Sequence, residues 1–117
     1  MKYLRNYIYK YKKYLNSNLA VLCFHRVKNY KMDPINITVS NENFSNQIKW
    51  LSLNTNIISP DQLETNINRG QKLPKRSVLL TFDDGYSNYK ENMQLLKSKS
   101  ISAIFFISTP KYKFYWD

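Results

Sequence analysis

The chain has 117 residues, a formal net charge of +10 and 43% hydrophobic residues, which suffices for one domain with a hydrophobic core. Its single cysteine excludes an internal disulfide bond. No apolar run approaches the ~18–20 residues that a membrane-spanning helix needs.

Residues 1–18 form a basic arm that is rich in lysine and tyrosine. Apolar and aromatic side chains recur there at helical spacing, which predicts a basic amphipathic helix. Such a helix would make peripheral contact with an anionic membrane surface; the alternative is a solvated arm without a function. We do not expect nucleic-acid binding. No segment resembles a secretory signal, so we expect a cytoplasmic protein, at the inner membrane face if the arm binds lipid.

Apolar runs after the arm predict strands at 19–24, 77–82 and 101–108, with a short extended link at 57–58. Cys23 falls in the first of these strands, where we expect a small buried side chain. Three helices are predicted at 41–53, 60–70 and 87–97. Their inward faces are predicted to be Phe44, Ile48 and Leu51; Leu63 and Ile67; and Tyr89, Met93 and Leu96. The alternation of strands and helices indicates an α/β fold with parallel strands.

Two adjacent carboxylates, Asp83 and Asp84, stand where the 77–82 strand ends. Consecutive strand residues point to opposite faces, so both acids share one site only if the chain turns there, and Gly85 permits that turn. This pattern favours a divalent metal and an activated water molecule. The alternative is an ordinary Asp-Asp-Gly turn.

Sites in parallel α/β folds gather at the carboxyl ends of the strands. His25 follows its strand directly, so it would meet Asp83 and Asp84 if the two strands are neighbours. As a site residue we expect it to line the pocket or bind substrate rather than act as a metal ligand; otherwise it is a turn histidine bonded to local backbone. Arg26 would contact a sugar hydroxyl or pair with an acid, and Tyr86 would contact substrate or pack against the protein.

The segment Thr81-Phe82-Asp83-Asp84-Gly85-Tyr86 resembles the first motif of the polysaccharide deacetylases, also known as carbohydrate esterase family four or the nodulation-deacetylase homology domain. Residues 19–27 resemble the opening strand and His-Arg-Val segment of the branch that acts on exopolysaccharides, and 103–108 resemble the next family strand. The resemblance covers about residues 19–117. It implies the N-terminal half of a distorted β/α barrel. The complete barrel needs about 200 residues.

The resemblance implies a metal-dependent hydrolase of carbon–nitrogen bonds that removes N-acetyl groups from a surface polysaccharide or exopolysaccharide. Asp83 would be the general base. Asp84 would bind a divalent metal, zinc by preference, with two histidines of a second motif, His-Ser/Thr-x-x-x-His. This sequence contains one histidine in total, so we expect an incomplete fragment with weak metal affinity. The alternative is an inactive remnant, or a fragment that binds glycan or membrane.

A phosphatase or phosphotransferase is a poorer match. Those enzymes place two acids after a strand with one other residue between them, whereas Asp83 and Asp84 are adjacent. The chain also has only two glycines and no phosphate-binding glycine loop.

Overall fold

The structure, a computed structural model, describes residues 19–87 and 89–108. The predicted arm at 1–18 lies outside the described residues, as does the end of the predicted 19–117 domain. The strands are β1 (Leu19–Phe24), β2 (Arg26–Val27), β3 (Thr38–Val39), β4 (Asn56–Ile57), β5 (Ser77–Phe82) and β6 (Ile104–Phe105). The helices are α1 (Asn41–Asn54), α2 (Pro60–Asn68) and α3 (Tyr89–Ser98).

Strand β5 is the centre of the main sheet. β1 pairs with its whole length on one side, while β4 and β6 pair with its two ends on the other. All of these pairings are parallel, which confirms the predicted α/β class. β2 and β3 form a separate, short parallel pair that the sequence did not suggest. The described strands form open sheets, so closure into a barrel stays a prediction.

The two faces of the main sheet differ. β5 is buried along its whole length, as expected for a central parallel strand. In β1, Phe24 is buried whereas Val21 and Cys23 are exposed. Side chains alternate along a strand, so one face of the sheet supports the core and the other opens to solvent at β1.

An aromatic cluster around Phe82 holds the sheet and helices together. The Phe82 side chain is fully buried, and its ring stacks on Phe24 and Phe105 at centroid distances of 5.3 and 4.7 Å. Edge contacts join it to Phe44 at 5.9 Å and to Tyr89 at 5.4 Å. These partners come from β1, β6, α1 and α3, so Phe82 links four elements directly beneath the acid-bearing loop.

Helix α1 confirms its predicted apolar face, because Phe44, Ile48 and Leu51 are buried. Helix α2 begins as predicted, with the Ser59 hydroxyl accepting a hydrogen bond from the Gln62 amide at 3.1 Å. Its predicted burial of Leu63 and Ile67 is wrong, since no residue of this helix is buried: Leu63 is half-buried and Ile67 is 67% exposed. Helical spacing places two residues on one face, but does not provide a neighbour that covers the face.

The predicted inward face of α3 is wrong at one position. Met93 is 50% exposed, and Asn92 is buried with Tyr89 and Leu96. The side-chain amide of Asn92 donates a hydrogen bond to the Val27 carbonyl at 3.3 Å, which satisfies its buried polar group. The last predicted strand, 101–108, is also shorter in the structure, because only β6 pairs with β5.

In the described part of the chain, no helix combines the length and the apolar character of a membrane span.

Candidate functional site

The register of β1 and β5 brings the ends of the two strands together. Cys23 lies opposite Thr81 and Phe24 opposite Phe82. One step further, the Asp83 amide donates a hydrogen bond to the Phe24 carbonyl at 2.8 Å. His25 and Asp83 therefore leave the same sheet edge side by side, as expected for residues that follow neighbouring parallel strands.

Three potential metal ligands meet at this edge. Cys23, His25 and Asp83 each offer one ligand atom, and these atoms lie within 4.8 Å of one another. The Cys23 Sγ is 4.0 Å from His25 Nδ1. Cys23 and His25 are two residues apart on an extended segment, so they share a face, and Asp83 joins them from the next strand.

Cys23 is a site residue that the sequence interpretation missed. The prediction of a buried cysteine is wrong, because the residue is exposed. The alternation of β1 explains the error: the buried Phe24 next to it turns Cys23 to the opposite, open face. Desolvation of the sulfur and the neighbouring Asp83 raise the pKa of the Cys23 thiol.

A buried tyrosine supports the backbone beneath the site. The Tyr89 hydroxyl donates a hydrogen bond to the Asp83 carbonyl oxygen. Burial raises the pKa of Tyr89 to about 12, so its hydroxyl stays protonated and keeps this donor at neutral pH. The contact ties the carbonyl end of Asp83 to helix α3, while its amide is tied to β1.

The chain turns at Asp84 as well as at Gly85. Asp84 has a φ of 75° and Gly85 a φ of 72°, so the turn that the sequence assigned to the glycine begins one residue earlier. The Asp84 carbonyl accepts a hydrogen bond from the Ser108 hydroxyl at 2.9 Å. The Asp84 side chain is exposed and, among the described residues, is not part of the Cys23–His25–Asp83 cluster.

We expect Gly85→Ala to destabilise the fold more than Gly70→Ala. Both glycines have positive φ, +72° and +59°, which costs an L-residue about 1–2 kcal/mol. A Cβ at Gly70 would meet no atom within 4 Å, but at Gly85 it would lie 3.0 Å from Ile107 Cγ2. We expect losses of about 1 kcal/mol for Gly70→Ala and about 2–3 kcal/mol for Gly85→Ala. Urea unfolding measures both, and equal losses would contradict the close approach to Ile107.

Arg26 lies beside the cluster as a buried link between two loops. It is 8% exposed, and its guanidinium carbon lies 4.9 Å from the ring centroids of both Tyr30 and Tyr86. Its Nε has no hydrogen-bond partner among the described residues. Cation–π contacts of this kind connect the segment after β1 to the loop that carries the acids. Tyr86 also packs against the core, which supports the packing alternative for this residue.

An open cleft of about 760 Å³ lies over the exposed face of the sheet. Its polar end contains Cys23, Thr81, Asp83 and Asp84. Its apolar lining comes from Val21, Leu79, Ile104, Phe106 and Ile107. The two acids of the sequence motif are thus accessible from solvent at the mouth of a mostly apolar groove.

Comparisons with known proteins show which proteins this chain is similar to. A family model described as polysaccharide deacetylase matches residues 70–117. The protein named "Putative polysaccharide deacetylase YxkH" from Bacillus subtilis (strain 168) is 27% identical over 93 residues, which are 78% of this chain and 32% of that protein.

Two solved structures are similar in fold as well as in sequence. A de-N-acetylase from Aggregatibacter actinomycetemcomitans has a TM-score of 0.66 and 29% identity, over 74% of this chain and 36% of that chain. IcaB from Ammonifex degensii has a TM-score of 0.64 and 32% identity, over 76% of this chain and 37% of that chain. The chain thus spans about a third of the length of these relatives. Over that third it is 27–32% identical to them in sequence and, for the two solved structures, similar in fold, so its resemblance to the polysaccharide deacetylase family is confirmed.

Proposed function

We propose that this chain carries the proton-transfer residues of a polysaccharide deacetylase that hydrolyses N-acetyl groups on a surface polysaccharide or exopolysaccharide. The observation that carries the proposal is the side-by-side placement of Asp83 and His25, with Asp83 lining an open cleft. The similarity to a structure described as a de-N-acetylase supports the N-acetyl group as the target.

Asp83 is the general base in this proposal. Its carboxylate lies in the cleft, and its backbone is fixed from both sides by Phe24 and Tyr89. A fixed carboxylate next to a reacting water molecule takes the proton as the water attacks the acyl carbon. The fixed backbone of Asp83 favours this role, because proton transfer requires a hydrogen bond between the base and the water.

His25 is the general acid. Amide hydrolysis leaves an amine that departs readily only when its nitrogen receives a proton, and imidazole is the side chain best suited to supply one near neutral pH. The ligand atoms of His25 and Asp83 lie within 4.8 Å, a gap that two hydrogen bonds of about 2.8 Å through one water molecule can span. The two groups can therefore act on the same acetamido group, one on the attacking water and the other on the leaving nitrogen.

Asp84 is the residue proposed to bind a metal, and zinc is the proposed ion. A bound metal would polarise the acyl carbonyl. The ligand set that the resemblance implies includes two further histidines, whereas His25 is the single histidine of these 117 residues. The residues present therefore do not complete that set, and metal dependence remains part of the proposal.

The alternative function is glycan binding without turnover, which the single histidine favours. The two functions are separated by incubating the purified chain with an N-acetylglucosamine oligomer and measuring acetate release and oligomer binding. Acetate release that requires Asp83 supports the deacetylase. Binding without release supports the alternative, and absence of both rejects the two together.

A further inference from the structure

We propose that Cys23, His25 and Asp83 form a binding site for a thiophilic divalent cation of the Zn²⁺ type, and that the bound ion blocks the site. This donor set differs from the aspartate and two histidines that the family resemblance implies. It consists entirely of residues in this chain, and it does not include Asp84.

The donor chemistry suits zinc. Thiolate sulfur, imidazole nitrogen and carboxylate oxygen are its common protein ligands, and three protein ligands leave a fourth position for water or another molecule. Calcium and magnesium prefer oxygen donors alone, so a site with sulfur and nitrogen discriminates against them. The cleft is open at this point, so an ion can enter and keep a water molecule at the fourth position.

The distances need little adjustment. Zinc–sulfur and zinc–nitrogen bonds of about 2.3 and 2.0–2.1 Å at a tetrahedral angle separate the two ligand atoms by about 3.6 Å. The Cys23 Sγ and His25 Nδ1 atoms are 4.0 Å apart, and the whole triad lies within 4.8 Å. Cys23 is exposed and His25 and Asp83 are half-buried, so small side-chain rotations can close the remaining gap.

When the metal ion binds, it replaces the proton on the Cys23 sulfur. The S–H bond of Cys23 breaks, its proton goes to solvent, and the sulfur forms a bond to the metal, with no change of oxidation state. Because Asp83 and His25 are the base and the acid of the proposed deacetylation, the bound ion occupies both. The inhibition therefore rests on the proposed function, whereas the binding itself does not.

The single cysteine of the chain allows a direct test. Cobalt(II), a spectroscopic substitute for zinc, is titrated into the full 117-residue chain, and the thiolate-to-cobalt charge-transfer absorption is recorded. In parallel, the rate at which a thiol reagent modifies Cys23 is measured with and without Zn²⁺. We expect the charge-transfer band to appear with one equivalent of cobalt, and Zn²⁺ to slow modification by about tenfold or more.

Variants identify the ligands. Cys23→Ser is expected to lose the charge-transfer band, and His25→Gln and Asp83→Asn to weaken cobalt binding by about tenfold or more. Asp61→Asn is the matched control, since it removes an exposed carboxylate in the first turn of α2, outside the cluster and the cleft lining, and is expected to leave binding within about twofold. Circular dichroism verifies that each variant is folded, and Cys23→Ala provides a second substitution at the exposed cysteine.

A band that is absent in the unsubstituted chain, or that persists in Cys23→Ser, overturns the site. Equal weakening by Asp61→Asn and Asp83→Asn overturns the assigned ligands. When the chain releases acetate, Zn²⁺ added beyond the amount that the activity requires is expected to inhibit release at the concentration that protects Cys23. A chain that binds cobalt through Cys23 but releases no acetate retains the metal site and loses the proposed function.

Discussion

Asp83→Asn, made in a protein completed with the rest of the domain, is expected to reduce acetate release from an N-acetylated oligosaccharide by about 100-fold or more, because the amide oxygen cannot take a proton from the attacking water. Asparagine has nearly the same size as aspartate. The hydrogen bonds that hold position 83 are made by its backbone amide and carbonyl, so the substitution removes the base without releasing the loop. The loss is therefore expected in turnover rather than in folding.

Asp61→Asn is the matched control, because it replaces an exposed carboxylate in the first turn of α2, away from the cleft lining. We expect its acetate release to stay within about twofold of the unsubstituted chain, as for most surface substitutions. Acetate is measured as a function of time at saturating oligomer. Activity in Asp83→Asn equal to that of Asp61→Asn would reject Asp83 as the base.

The role of His25 is separable from that of Asp83 by the choice of substrate. 4-Nitrophenyl acetate has a leaving group that departs without a proton, so its hydrolysis needs the base but not the acid. His25→Gln is expected to lose at least about 100-fold on the N-acetylated oligomer and less than about tenfold on the ester. Asp83→Asn is expected to lose activity on both. Equal losses on the two substrates in His25→Gln would indicate that His25 positions the site rather than donating a proton.

The convergence of His25 and Asp83 could be predicted from the sequence because it depends on one topological rule. Each residue directly follows an apolar run, and parallel strands place their carboxyl ends at one edge. The sequence alone did not show that β1 and β5 are neighbours. The structure pairs them along their whole length, from Leu19 opposite Ser77 to Phe24 opposite Phe82. That information is a contact between segments more than fifty residues apart, which no local pattern encodes.

The errors arise where a local pattern leaves the partner of a side chain undefined. Cys23 was expected inside because it lies in an apolar run, but the run alternates, and the face that Cys23 shares with Val21 is open. Helical spacing predicts that Met93 faces inward, yet Asn92 takes the inward position through its hydrogen bond to the Val27 carbonyl. A buried polar group with a fixed partner competes successfully with an apolar side chain.

Phe82→Ala is expected to cost about 3–5 kcal/mol of folding free energy, the largest effect we predict on stability. The ring is fully buried and contacts aromatic side chains from four other elements. Its removal leaves a cavity between the sheet and the two flanking helices, which cannot all move inward together. Domains of this size are stabilised by only about 5–15 kcal/mol, so the substitution removes a large share of the total.

Phe106→Ala is the matched control for Phe82→Ala. It deletes the same ring from a side chain that is 56% exposed on the open cleft, and we expect a loss of about 1 kcal/mol or less. Urea unfolding followed by tyrosine and tryptophan fluorescence gives both values. If Phe82→Ala shows no folding transition, Phe82→Leu retains part of the volume and is expected to shift the midpoint by a smaller, measurable amount. Equal losses at positions 82 and 106 would mean that the aromatic cluster does not form the core and that the loop bearing Asp83 lacks the support described for it.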